Sequence, residues 1–178
     1  IVEALRGHLK TCPEVKRLEF AGSYRRGRET VGDLDALVVS TDHDAVMDCL
    51  GQFEGVADTI ARGETKMSVR LESGLQIDLR VVPAESFGAA LQYFTGSKEH
   101  NVVLRGRAKQ RGLKINEYGV YQVDGDQETY VAGAEEADVY AAMELPTIVP
   151  ELREARQEFE WADADALPTL ITQDDVLG

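Results

Sequence analysis

Three aspartates stand where their side chains could do chemistry. Asp33 and Asp35 lie two residues apart at the start of an apolar run over 34–39, and Asp78 interrupts a second apolar alternation between Ile77 and Leu79. Side chains two apart on a strand project to the same face, so Asp33 and Asp35 point together while Leu34 points away. Paired carboxylates raise each other's pKa unless a cation sits between them. Hard divalent cations take such oxygen ligands, and Mg²⁺ characteristically uses one or two carboxylates plus substrate phosphates. Just upstream, Gly22, Ser23, Arg25, Arg26 and Arg28 supply what a phosphate requires: free backbone N–H groups at a helix start, a hydroxyl and guanidinium groups. Metal-binding acids beside a phosphate cradle point to chemistry on a nucleoside triphosphate. The alternative is a solvated strand end with an arginine-rich turn. If the strand of Asp78 lies beside that of Asp33 and Asp35, it adds the third carboxylate of a two-metal site, with cations about 3.5–4 Å apart on the attacking and leaving oxygens. Its alternative is a salt bridge to Arg80, two residues along on the same face.

The surrounding pattern predicts the elements that hold these residues. Residues 1–11 read as a helix with Val2, Leu5 and Leu9 on one stripe, ended by Cys12 and Pro13. A strand over 16–21, a turn at Gly22 and the aspartate strand follow. Thr41 or Asp42 caps a helix with Val46, Cys49, Leu50 and Phe53 at helical spacing. Strands are expected over 56–61, 66–71 and 75–82, the last two joined by a hairpin turn at 72–74. Pro83 opens a helix that ends at Tyr93, Phe94, Thr95 and Gly96, and Ser97 caps a second helix over 98–111. On that helix Lys98, Asn101, Arg105 and Lys109 share one face. Asn and Arg can hydrogen-bond the minor-groove edge common to all base pairs, a degenerate readout that suits a template reader; a basic solvated face is the alternative. A hairpin is expected around Tyr118 and Gly119, a short helix over 135–143, another over 150–161, and a linker over 162–178. His8, His43 and His100 lack ligand spacing and read as structural.

Composition bounds the rest. The 178 residues are 43% hydrophobic and globular, with no apolar run long enough for a membrane span. Cys12 and Cys49 form no metal spacing or disulfide framework, and no secretory signal is visible, so a reduced cytoplasmic setting is expected. The absence of an initial Met suggests excision from a longer chain. A net charge of −13 argues against a nucleic-acid partner until its distribution is read. Residues 124–178 hold 15 of the 32 acids against two arginines, so the whole net charge lies there and residues 1–123 are neutral. Between Lys98 and Lys114 six basic residues face one acid, Glu99. The acidic end is expected to turn away from DNA. Six lysines among so many acids also fit a salt-rich cytoplasm, where DNA binding gains less from counterion release.

Gly22-Ser23 followed by Gly32-Asp33-Leu34-Asp35 resembles the signature of the nucleotidyltransferase superfamily. The intervening Tyr-Arg-Arg-Gly from Tyr24 is most similar to family X DNA polymerases, and so are Tyr93-Phe-Thr-Gly-Ser97, Asn101 and Arg105. The likeness runs over about 16–161 with the motifs in order. The resemblance implies an α+β fold, with a nucleotidyltransferase palm (mixed β-sheet with helices) over 1–82 and a small α+β thumb over 83–161. Residues 162–178 then resemble the approach to the C-terminal PHP phosphoesterase domain of bacterial and archaeal members. It implies two Mg²⁺ ions (or Mn²⁺) on Asp33, Asp35 and Asp78, with Asp78 helping to deprotonate a primer 3′-hydroxyl. Gly22, Ser23 and Arg26 would hold the β- and γ-phosphates of the nucleotide, and Gly32 would belong to the same nucleotide site. Tyr93, Phe94 and Gly96 would press on its sugar and exclude a 2′-hydroxyl, and Asn101 would contact the nucleotide. Lys98, Arg105 and Lys109 would meet DNA, and Arg80 would gate the acids. Gln76 stands where animal relatives carry an arginine near the primer terminus, and Lys98 replaces an acid. The lyase-like domain and helix-hairpin-helix fingers that usually precede the palm in the family are missing from this sequence, which therefore supports no claim of lyase activity.

The function implied is templated dNTP addition to primer-template or gapped DNA in short-gap repair, by a monomer without membrane partners. Two other readings remain: a non-templated nucleotidyltransferase, which would not need the Tyr93 hinge or the Asn101/Arg105 face, and a DNA-binding scaffold with weak polymerase activity serving a downstream nuclease.

Overall fold

The computed structural model describes residues 1–28 and 32–168. Helix α1 (Val2–Lys10) buries Leu5 and Leu9, and β1 (Arg17–Phe20), the single turn α2 (Gly22–Arg25) and β2 (Asp33–Val39) follow it. Of the two expected caps it is Asp42 that accepts the Ala45 N–H and starts α3 (His43–Gly51). Strands β3 (Val56–Arg62), β4 (Lys66–Leu71) and β5 (Gln76–Val82) complete a sheet of order β1-β2-β5-β4-β3. β2 and β5 run parallel and the other neighbours antiparallel. A parallel pair needs a long crossover, here supplied by α3, β3 and β4.

The two sheet faces bury different things. Leu34, Ala36 and Val38 from β2 and Ile77, Leu79 and Val81 from β5 join α1 and α3 in one core. The alternate residues face the other way, where Leu37, Val39 and Val82 pack under Phe87, Ala90 and Leu91. These last belong to α4 (Phe87–Thr95), which enters through a 3-10 turn at Ala84–Ser86. α4 therefore covers only one end of that face. Asp33, Asp35, Gln76, Asp78 and Arg80 occupy the other end, where Asp33 is exposed and the rest are half-buried.

The second lobe continues with α5 (Lys98–Gln110), capped by Ser97, whose Oγ accepts the His100 N–H. A three-stranded sheet of β6 (Leu113–Asn116), β7 (Gly119–Asp124) and β8 (Gln127–Ala132) follows. β8 corrects the expectation of a two-stranded hairpin. It is an edge strand exposed along most of its length, so no apolar alternation announced it. α6 (Glu136–Ala142) packs on α4 so closely that a Cβ on Gly88 would overlap the Glu135 backbone. The helix expected over 150–161 is instead a 3-10 turn at Pro150–Leu152 and a separate α7 (Glu158–Asp163). Non-helical bonds break it: the Arg153 carbonyl accepts the Ser97 N–H, Ala155 adopts φ 58°, and the Glu158 carboxyl accepts the N–H groups of Ala155 and Arg156. The expected linker begins with the end of α7, Leu167 packs against the second core, and residues 169–178 lie outside the described residues. No helix among the described residues is long and apolar enough to cross a membrane.

Arginines of the first lobe grip acids of the second. Arg17 pairs with Glu135 at 2.9 Å, Arg26 with Glu154 at 3.0 Å, and Arg28 also reaches Glu154. Arg25 meets Glu136 through both carboxyl oxygens, at 2.8 and 2.9 Å. Glu136 is shared with the fully buried Arg153 at 2.7 Å. Thus Glu136 and Glu154, in the acidic end of the chain, face the seam between the lobes. Burial alone would raise the Glu136 carboxyl, but hydrogen bonds from Arg153 and Arg25 outweigh it and bring it from 4.5 to about 2. A depressed folded value adds stability that is complete above the unfolded pKa and disappears as pH falls through the folded one. Glu136→Gln, which strands a buried guanidinium, is expected to cost about 3–5 kcal/mol at neutral pH. In urea unfolding the gap between parent and variant should narrow as pH drops from 4.5 towards 2.

Candidate active site

The parallel register sets Asp35 directly beside Asp78, with Asp33 beside Gln76 and Leu37 beside Arg80. Asp35 is half-buried, and its Oδ1 accepts from Arg80 Nη1 at 3.2 Å. The Arg80 guanidinium also lies 4.0 Å from the centre of the Phe94 ring. Burial pushes the Asp35 carboxyl up, and the Asp78 and Asp33 charges add to the rise against the opposing pull of Arg80. Asp78 does not take the salt bridge to Arg80. Its Oδ1 accepts instead from Ser68 Oγ at 2.5 Å, across the β4–β5 ladder, and from Gln76 Nε2 at 3.0 Å. Among the described residues no three acidic, histidine or cysteine side chains converge as a ready metal site. The carboxylates are adjacent by register, with Asp35 turned to an arginine and Asp78 to two neutral donors.

A cleft of about 770 Å³ opens over Asp35 between the two lobes. Its floor is Gly22, Ser23 and Arg26 from the α2 turn, and its opposite wall is Tyr93, Phe94, Gly96, Lys98, Asn101 and Arg105. Gly22 has φ +68°, and a Cβ there would sit 2.6 Å from Asp35 Oδ2, so only glycine lets the turn approach the carboxylate. Gly96, also at φ +68°, lets Arg26 Nη1 reach the Thr95 carbonyl at 2.5 Å. Tyr93 and Phe94 meet edge to face with ring centres 5.0 Å apart. Asn101 accepts from Gln92 Nε2 at 2.7 Å and donates to the Tyr93 carbonyl at 2.8 Å.

The cleft thus gathers ten of the residues singled out in the sequence. Gly32, Asp33, Asp78 and Arg80 lie off its lining, Asp78 and Arg80 on the adjacent strand. Lys109 lies with Arg105 on a neighbouring groove that also holds Lys114 and Ile115. Sequence reasoning missed Ser68, Gln92, Glu136 and Glu154. Ser68 is a small polar residue between Met67 and Val69, and Gln92 a lone amide on an otherwise apolar helix, so each had a faint local signal. His100 is structural as expected. It is fully buried between Glu158 (2.9 Å) and the Tyr140 hydroxyl (2.8 Å) and stacks on Phe159. Burial holds its pKa below the ordinary value, against the pull of Glu158.

Sequence comparison places this geometry. The family profile for the DNA polymerase beta palm matches residues 1–76, and that for the DNA polymerase beta thumb matches residues 90–154. The DNA polymerase/3'-5' exonuclease PolX of Bacillus subtilis is 42% identical over 164 residues, 90% of this chain. The chain belongs to the family X DNA polymerases. Rat DNA polymerase lambda is 31% identical over 117 residues, 56% of the chain, and the Repair DNA polymerase X of African swine fever virus 26% over 113 residues, 60% of the chain. The chain spans 28% of the length of the Bacillus relative, 20% of the rat one and 65% of the viral one. The α+β architecture, a mixed five-stranded sheet followed by a helical lobe with its own small sheet, accords with a family X palm and thumb.

The close approach of Gly22 to Asp35 yields a stability test. Gly22→Ala places a methyl group on a carboxylate oxygen in a backbone conformation that L-residues avoid. It should lower unfolding free energy by about 1–3 kcal/mol in urea titration and displace the Asp35 side chain in a crystal structure of the variant.

Proposed function

We propose that this chain is the catalytic core of a template-directed DNA polymerase that adds dNTPs to a primer 3′-hydroxyl in short gaps, releasing pyrophosphate. One observation carries the reading: Asp35 stands beside Asp78 in parallel register at the floor of a cleft whose far wall bears the aromatic pair, an amide and two basic residues. The donor set suits a hard divalent cation. The three carboxylates come from one sheet face, and Asp35 is raised by burial and by its acidic neighbours, a charge imbalance that one arginine only partly relieves. Mg²⁺ or Mn²⁺ held by Asp33, Asp35 and Asp78 would supply charge neutralisation at the attacking and leaving oxygens.

The chain's own residues do the positioning. Gly22, with the Ser23 hydroxyl and Arg26, presents donors to the β- and γ-phosphates, and Gly32 keeps the approach to Asp33 open. Arg80 releases Asp35 when the site loads and stays docked on Phe94, which makes it the gate. The Tyr93 ring and the turn at Gly96 close on the sugar and leave no room for a 2′-oxygen. Asn101 faces the base edge, while Lys98, Arg105 and Lys109 run along DNA phosphates and the template strand. Asp78 accepts the proton of the 3′-hydroxyl. Most of the rate enhancement comes from alignment and electrostatic stabilisation. Part of the acidic charge is taken up by the ion pairs of Glu135, Glu136 and Glu154 at the seam.

Primer extension across a one-nucleotide gap with Mg²⁺ or Mn²⁺ tests the proposal. Templated dNTP addition that Asp33→Ala abolishes is the expected result; untemplated NTP transfer, or gap binding without incorporation, would replace it with one of the other two readings. Asp78→Asn should reduce incorporation by about 10²–10³-fold or more while nucleotide affinity, measured by equilibrium titration, stays near the parent value. Tyr93→Ala should narrow the preference for dNTP over NTP in kcat/KM, and unchanged sugar selectivity would remove Tyr93 from that role.

A further inference from the structure

Behind the wall of the cleft, bound to Asn101, lies a buried amide that the polymerase reading does not use, Gln92. Gln92, 2% exposed on the last turn of α4, points at Asn101, 8% exposed on α5. The orientation of the Asn101 amide follows from its partners. A backbone carbonyl can only accept, so the atom 2.8 Å from the Tyr93 oxygen is Nδ2. Oδ1 then faces Gln92, whose Nε2 donates to it at 2.7 Å. With Oδ1 engaged inside the protein and one Nδ2 hydrogen on Tyr93, the second Nδ2 hydrogen is what Asn101 can still offer to the cleft.

We propose that Gln92 is a positioning residue for specificity: it holds Asn101 Oδ1 inward so that the Nδ2 donor faces the cleft in its place. The inference rests on the reading of this cleft as the nucleotide site. A lone donor at the base edge selects acceptors, which are purine N3 and pyrimidine O2, present in the minor groove of every base pair. Gln92 thereby makes the contact tolerant of base identity yet strict about the atom it meets. Were the amide free to turn, Oδ1 would face the cleft in part of the population and repel the same N3 or O2. An apolar residue at position 92 would also strand Oδ1 in a buried site, which favours that turn. Tyr93 is bound by the same amide, so the residue after Gln92 on the sugar wall is held through its carbonyl from the same point.

The test compares dATP with its 3-deaza analogue, in which C–H replaces N3, opposite template T in a one-nucleotide gap. The parent chain should favour dATP by about tenfold in kcat/KM, the worth of one hydrogen bond. Gln92→Met, which keeps volume and removes the donor, should raise KM for dATP about tenfold, change kcat by less than about threefold and close most of the gap between the two nucleotides. Gln92→Leu provides a second replacement with the same readout, and thermal unfolding of each variant verifies the fold. In an Asn101→Ala background, Gln92→Met should add nothing further, because the two residues act through one contact. A Gln92→Met variant that keeps the full preference for dATP, or that loses affinity equally for both nucleotides, overturns the inference while leaving the polymerase reading intact, provided Asn101→Ala closes the gap. If Asn101→Ala leaves the gap unchanged, the assignment of Asn101 to the base edge fails, and the role of Gln92 fails with it.

Discussion

The parallel pairing of β2 with β5 is the constraint from which the rest follows. Strand side chains alternate faces, and the register sets Asp35 beside Asp78 and Val39 beside Val82. One face of both strands is therefore apolar throughout and buried against α1 and α3. The other changes character along its length, apolar where α4 lies on it and acidic where α4 ends. A shift of one residue in this pairing would drive carboxylates into the core and expose its leucines, so the fold cannot form without also assembling the acidic end. The packing that stabilises the sheet and the chemistry at its open end are fixed by the same register.

The second lobe is held to this sheet by the apolar packing of α4 and by a set of ion pairs along the seam. Glu136 lies between Arg25 and Arg153, and Glu154 between Arg26 and Arg28. Such pairs gain little from burial as such, since desolvation offsets much of the attraction, but they are specific in geometry and costly to break one partner at a time. They hold the Tyr93–Ser97 turn over Asp35, and Arg26 connects the two sides directly through the Thr95 carbonyl. The negative charge of the final third of the chain is thus partly structural: it neutralises arginines that would otherwise crowd the cleft.

What could be read from the sequence was whatever has a local signature. The aspartate spacing, the Gly22-Ser23 turn, the Ser97 cap and the shared face of Lys98, Asn101 and Arg105 each follow from period, propensity or capping within a few residues. The partners of Arg25 and Arg26 could not be found that way, because Glu136 and Glu154 lie 111 and 128 residues further along the chain. β8 lacked alternation because both its faces meet water. The helix expected over 150–161 was divided by a tertiary bond from Ser97 to the Arg153 carbonyl and by local bonds from Ala155 and Arg156 to the Glu158 carboxyl, which compete with the helical pattern. Ser68 becomes a partner of Asp78 only through the β4–β5 register. For Arg25, Arg26 and Asp78 the missing information was the identity of a neighbour on another element.

Several charges around the cleft already have partners within the protein, and this bears on what the cleft admits. Arg80 compensates Asp35, Arg26 is shared between the Thr95 carbonyl and Glu154, and Asp78 is satisfied by neutral donors. A free anion would have to draw Arg26 away from the Thr95 carbonyl and leave Glu154 to Arg28 alone. A free cation would have to displace Arg80 from Asp35 and leave a guanidinium without its counter-charge. A metal–triphosphate complex carries both signs and can exchange partners pairwise, its cations with Asp35 and its phosphates with Arg26. On the proposed reading, this internal compensation favours the complete metal-bound nucleotide over either component alone, because only the complex leaves no buried charge uncompensated at any stage of entry.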